Sequence, residues 1–250
     1  MTRLADMTVS DLMKLRGKIR GLFAANEVQT FEDAAQRVVD LFRRELLDDR
    51  GEPACALIRI YKTHRFALLP DDLKRFALSR EPAAESLREL RCLVMMATAG
   101  DEPQWNSRQQ SRDHQAIPLS SEAAVAEAPM VSQLIQQLGI RVAAVLRPDP
   151  ALLLDMEGTA QNVFYIPVAQ GSQYIPAQEE FVKRYGIQSV VGFGGLLSSG
   201  DLVAGILFSK VPVSAAVADH FKVIGLNFKL VMLPFARKQA FREDASRTER

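Results

Sequence analysis

The chain is poor in the residues that usually announce a function. It has two cysteines, Cys55 and Cys92, in 250 residues, too few for a disulfide framework. Its three histidines, His64, His114 and His220, are far apart and have no second His or Cys at ligand spacing, so no metal site is expected. A haem needs only one axial His and stays open, although no attachment motif is present. Neither sign of charge is in excess. With 31 Lys and Arg against 30 Asp and Glu, the net charge is +1, and no global field draws nucleic acid or an anionic membrane. No apolar run approaches the roughly 20 residues that span a bilayer. The longest candidate, Val217 to Phe235, is broken by Asp219, His220, Lys222, Asn227 and Lys229. The first stretch, MTRLADMTVSDLMKLRGKIRGLF, is charged throughout and lacks the apolar centre of an export signal. The cytoplasm is the expected compartment.

Catalytic motifs are missing too. There is no G-x-S-x-G, and both cysteines sit in apolar strand-like runs, where a thiol acts as a small hydrophobe. A redox pair would require the two strands to bring them together. The run VVGFGGLL, with Gly192, Gly194 and Gly195, lacks the Lys-Ser/Thr of a phosphate loop and leads into a hairpin instead of a helix. A bulge or close backbone approach within a strand is the expected role of these glycines. No enzymatic activity and no particular cofactor follow from the residues.

What remains is an ordinary globular composition, 48% hydrophobic and 24% charged. A first helix is expected over Thr8 to Ala25, with Ser10 and Asp11 as caps and Leu12, Leu15, Ile19 and Leu22 on one face. A second covers about Thr30 to Leu47, with Thr30 as N-cap. Strands are expected at Ala54 to Tyr61, Leu90 to Ala97, Ala116 to Leu119 and Asn162 to Val168. Short helices fall at Asp71 to Ala77 and Gln178 to Tyr185, and a longer one at Glu122 to Leu138. Ile140 to Leu154 reads equally as strand or helical turn. Ser189 to Leu197 and Leu202 to Ser209 flank a Ser-Ser-Gly-Asp turn, a β-hairpin pattern. A last helix, capped by Ser214 and running to about Lys238, carries Val217, Phe221, Ile224, Phe228, Val231 and Phe235 in a 4-3-4-3-4 rhythm. The order predicts an α+β fold: a central antiparallel sheet with helices on its faces and long N- and C-terminal helices.

This order, and above all the block QEEFVKRYGIQSVVGFGGLLSSGDLVAGILFSKVPVSAAVADHFKVIGLNFKLVMLPF, resembles the way GAF-like sensory domains close. The stretches TAGDEPQWNSRQQSRDHQAIPL and LGIRVAAVLRPDPALLL are similar to a diverged bacterial branch found beside PAS domains and histidine kinases. The resemblance spans roughly residues 30 to 236. The Asn-Lys-Phe-Asp-Glu type of signature of cyclic-nucleotide GAF domains is not visible, nor is a bilin-type cysteine, and two cysteines cannot supply the three of GAF-fold methionine sulfoxide reductases. The resemblance implies a domain that recognises a small molecule or partner instead of transforming a substrate.

Two sets of candidate residues follow. The polar stretch from Asp101 to Gln115 holds the only tryptophan, Trp105, with Arg108 and His114, side chains that suit an anionic or aromatic ligand. The alternative is a solvated loop pinned by Trp105. The resemblance places Tyr165 and Tyr174 beside that loop, between the sheet and the middle segments. The stripe Leu12, Leu15, Ile19 and Leu22 either packs back on its own domain or pairs with a second chain, and a parallel helical homodimer is the favoured outcome. The expected organisation is an N-terminal dimerisation helix (1–29), a GAF-like sensory domain (30–238) and a flexible charged tail (239–250). Without an effector motif, output is expected in trans, towards a signalling partner such as a kinase. Neither nucleic acid nor membrane is an expected partner.

Overall fold

The computed structural model describes residues 1–23, 28–81, 87–148 and 162–242. A two-residue strand, β1 (Thr2–Arg3), precedes helix α1 (Val9–Gly21). Thr8, not Ser10, is the cap: its hydroxyl accepts from the Asp11 N–H while the Asp11 carboxylate accepts from the Thr8 N–H, a reciprocal box. Helix α2 (Phe31–Glu45) starts at Thr30 as its sequence requires, and its last two expected residues instead form β2 (Leu46–Leu47), which pairs in parallel with β1. Strand β3 (Cys55–Arg65), helix α3 (Asp71–Arg80), strand β4 (Arg91–Gly100) and strand β5 (Ala116–Leu119) follow. The expected helix over Glu122 to Leu138 is two helices, α4 (Glu122–Ala126) and α5 (Pro129–Gln137). Pro129 has no N–H to continue the first and occupies the opening position of the second, where none is needed. The ambiguous VAAVL is helical, α6 (Val142–Leu146), and the rest of that stretch from 149 lies outside the described residues. Then come β6 (Phe164–Ile166), a π-helical turn over Gln178–Lys183, the hairpin β7 (Ser189–Leu196) and β8 (Leu202–Ser209), and α7 (Ala215–Met232).

Six strands form one antiparallel sheet in the order β5-β4-β3-β8-β7-β6. Its central strands are buried on both faces, β4 and β8 along their whole length, so both faces need cover. On one face α2 lies over β3 and β4, α7 lies over β7, and α1 packs chiefly on α7. On the other face α5, α6 and the turn at Gln178–Lys183 enclose a second core with Leu57, Met95, Phe164 and Phe208. The α+β architecture expected from the element order is the one observed.

Phe193 organises the first face. Its fully buried ring meets Phe42 of α2 at 5.4 Å, edge on, and Phe228 of α7 at 5.2 Å, also edge on. Edge contacts of this kind are the favoured aromatic geometry. Room for the ring comes from Gly205, where a Cβ would stand 2.4 Å from Phe193 Cζ, and from Gly225, which lets α7 come down onto the strand. Gly194 serves the same end: a Cβ there would lie 2.1 Å from the Val203 carbonyl oxygen. The glycine-rich run therefore packs strand to strand and strand to helix.

Two expectations change here. Leu12, Leu15 and Ile19 do not form an outward seam: they are buried in this chain's own core, with Leu22 half-buried against it. The stripe is spent inside the chain because α1 fills the space beside α7, so a charge at Leu15 or Ile19 would attack the fold itself. Gln239 to Phe241, expected in a flexible tail, are also held to the domain. Phe31 and Glu32 donate their backbone N–H groups to the carbonyls of Gln239 and Ala240, and Phe241 is buried. These bonds satisfy two free donors at the start of α2. Residues 243–250 lie outside the described residues.

Replacing Phe193 by Ala should cost roughly 3–5 kcal/mol of unfolding free energy, measured by urea denaturation. Gly205→Ala should also destabilise, because the ring has nowhere to move. A loss below about 1 kcal/mol for Phe193→Ala would show that the face does not depend on this ring.

Candidate functional site

The five residues expected to line one pocket do not share one face of the sheet: Trp105 and Tyr174 pack against the second core, Arg108 and Tyr165 on the first-face side. The loop after β4 tightens at once into a 3-10 turn over Pro103–Asn106. The Thr98 hydroxyl donates to the Trp105 carbonyl at 2.7 Å, and the Asn106 side chain accepts from the Gly100 N–H at 2.9 Å. The half-buried indole packs over Gly100, 4.5 Å from the Tyr185 ring and 5.6 Å from Phe181. Tyr185 closes the group by donating its hydroxyl to Glu102 at 2.9 Å. Trp105 is thus an anchor of the second core. Arg108 turns to the opposite side, where its guanidinium pairs with Glu32 at 3.2 Å and lies 5.3 Å from the centre of the Phe241 ring. His114 is exposed and takes a left-handed backbone turn with φ of 67°. The Tyr165 hydroxyl is bound to the Val213 carbonyl, on the first face. Tyr174 packs against the second.

The cysteines are also apart. Cys92 sits opposite His64, nine residues along β3 from Cys55, roughly 25–30 Å at strand rise. Burial pushes each thiol up to about 12, so both stay protonated and inert. Among the described residues no group of three His, Cys, Asp or Glu side chains could share a metal ion. None of the described helices is long and apolar enough to cross a membrane.

Two arrangements went unnoticed in the sequence. The first is a buried charge cluster where the hairpin turn meets β3 and β4. Lys62 Nζ reaches the Asp201 carboxylate at 2.8 Å, Arg91 binds its other oxygen, and Arg91 also donates to the Thr63 hydroxyl at 2.9 Å. That hydroxyl accepts the Leu202 N–H at 2.9 Å. Burial alone would raise the Asp201 pKa, but the two cations outweigh it and hold the carboxyl below its ordinary 3.8. His64 lies beside this cluster, 5.1 Å from the Phe241 ring, and burial drives it down to about 3, so it is neutral at pH 7. The only hint in the sequence was charge inside the apolar runs RIYKTHR and LRCLV.

The second is a cavity of about 310 Å³ where the ends of α1 and α7 meet, lined by Arg20, Phe23, Val28, Val231, Phe235 and Lys238 among others. Phe23 and Phe235 form its aromatic wall, with ring centres 4.9 Å apart. Arg20 is tied by its Nε to the Asn227 side chain at 2.8 Å. These residues come from opposite ends of the chain, so no local spacing reveals the cavity.

Neither a protein-family model nor a curated protein matches this chain. Three solved structures are similar in arrangement. One is the GAF domain of an Acinetobacter phosphoenolpyruvate-protein phosphotransferase, at 14% identity and a TM-score of 0.39, covering 90% of this chain and 91% of that one. A protein in a far-red absorbing dark state with bound biliverdin shows 8% identity, a TM-score of 0.42 and coverage of 90% and 98%. The chromophore-binding domain of a bacteriophytochrome from R. palustris shows 12% identity, a TM-score of 0.39 and coverage of 90% and 62%. At these identities the likeness carries over no residue's role and no ligand.

The neutral His64 gives a pH signature. Its folded pKa lies below the ordinary 6.5, so its contribution to stability is full above about pH 6.5 and is lost as pH falls towards 3. Asp201 acts in a separate, lower window, below its ordinary 3.8. Urea midpoints measured from pH 7 to 4 should therefore fall less steeply in His64→Leu than in the unaltered chain. Parallel curves would contradict the buried, neutral imidazole.

Proposed function

We propose that the chain is a GAF-like signal-sensing domain that binds a small ligand and passes the signal on through the packing of its terminal helices to a partner in trans. The observation that carries this reading is the cavity at the junction of α1 and α7. A ligand there touches both terminal helices at once, and both rest on the sheet through a shared core. Binding that favours one packing of the pair over another shifts their equilibrium by its differential affinity. The reading assigns the protein recognition and no catalytic step, and a homodimer is one form the partner could take.

A second reading is a ligand-free interaction module that docks on a signalling partner such as a kinase. It is favoured by Leu226, Leu230 and Leu233, which leave a stripe on the outer side of the C-terminal helix and the turn after it 40%, 45% and 38% exposed. Partner-binding surfaces concentrate such apolar area.

Spin labels at the exposed positions Met13 and Leu226 separate the two readings. In the sensory reading, any small molecule that raises the thermal midpoint of the full chain also changes the distance between the labels. If stabilising ligands leave that distance unaltered, signalling through the helix pair is refuted.

A further inference from the structure

We infer that the groove between the ends of α1 and α7 is a receptor for a small amphipathic carboxylate, its apolar body against Phe23 and Phe235 and its carboxylate on Arg20 and Lys238. The inference deepens the sensory reading by naming the ligand class at the same cavity, and rests on that reading only for its signalling consequence.

Charge and polarity within the groove select the class. Among the described residues its lining is apolar except for Arg20 and Lys238, both cationic, and none of those residues is acidic. A neutral apolar ligand would leave both cations at the rim without a partner, while a small polyanion would find only a narrow charged end and an apolar wall. One anionic head on an apolar body matches both parts. The volume, about 310 Å³, is at the small end of the roughly 300–1,000 Å³ typical of small-molecule sites.

The cations are held in place for this role. Asn227 is 2% exposed on the buried side of α7, where an amide needs partners. Its Nδ2 donates to the Val223 carbonyl at 2.8 Å, and its Oδ1 accepts from Arg20 Nε at 2.8 Å. That bond uses the inner edge of the guanidinium. Neither Nη of Arg20 is bound to a described residue, so the outer fork is left for a carboxylate, whose two oxygens it fits side by side. Lys238 Nζ stands 5.2 Å from the centre of the Phe235 ring, held over the aromatic wall by its charge. Asn227 is a positioning residue, and its burial in an otherwise apolar helix face is explained by the arginine it orients.

Titration calorimetry of the full chain with 2-naphthoate, its neutral carboxamide and acetate tests the site. One 2-naphthoate per chain should bind, about tenfold more tightly than the carboxamide, with acetate undetected and the preference shrinking as salt rises. Arg20 and Lys238 are exposed, so Arg20→Gln and Lys238→Gln should fold and should each lose the preference for the carboxylate while keeping the carboxamide affinity. Asn227→Leu should weaken the carboxylate alone. Equal binding of acid and amide, unaltered binding in Arg20→Gln, or no binding of 2-naphthoate would overturn the assignment. The Met13–Leu226 label distance keeps the two claims apart. If 2-naphthoate binds as stated with no change in distance, the site stands and the sensory reading falls. If another ligand moves the helices while no anion binds, the sensory reading stands and this site falls.

Discussion

The insertion of the Phe193 ring between sheet and helices is the contact on which the rest of the molecule depends. One strand residue touches α2 and α7 together, and it can do so only because Gly205 and Gly225 present no side chains to it. With α7 brought down onto β7, its buried residues Phe221, Ile224 and Phe228 point at the sheet, and α1 lays Leu15 and Ile19 against the same core. The N-terminal helix is therefore part of the domain's interior. The cavity between α1 and α7 lies where the two helices end, and the Phe23 and Phe235 rings, 4.9 Å apart, form its wall.

Charge plays a narrower part. Asp201 sits in the hairpin turn and pairs with both Lys62 and Arg91, which would otherwise be unpaired buried cations at the edge of the core. Such a pair contributes little net stability over apolar packing, but removing one partner is costly. Its effect is to fix where the hairpin turn lies against β3 and β4. Residues 239–242 then cross the start of α2 and place Phe241 between His64 and Arg108. Both ends of the described chain are thus tied to α2, by β1 pairing with β2 at its C-terminal end and by this segment at its N-terminal end.

The sequence was legible where a local rule decides the outcome. Two apolar runs around a turn of fixed chemistry located the hairpin, and apolar periodicity located α2 and α7. It was misleading where an apolar stripe has two possible partners: the spacing of Leu12, Leu15 and Ile19 is the same whether the facing surface belongs to this chain or to another. Composition suggested a ligand loop around Trp105, but side-chain type does not say which way a residue points. Arg108 and Trp105 are three residues apart and serve opposite faces of the sheet. The Arg20–Asn227 bond joins positions 207 residues apart, and no reading of local pattern could have paired them.

The central claim is that α1 and α7 form one packed unit, so that a ligand lodged between their ends acts on both chain termini. Amide hydrogen exchange in the full chain measures this directly. The account predicts that the central amides of α1, around Leu15, are protected to nearly the same degree as those of α7 around Ile224, because both open only when their shared core opens. If α1 exchanges orders of magnitude faster than α7, it is a loosely docked appendage, and a signal carried by the helix pair has no physical basis.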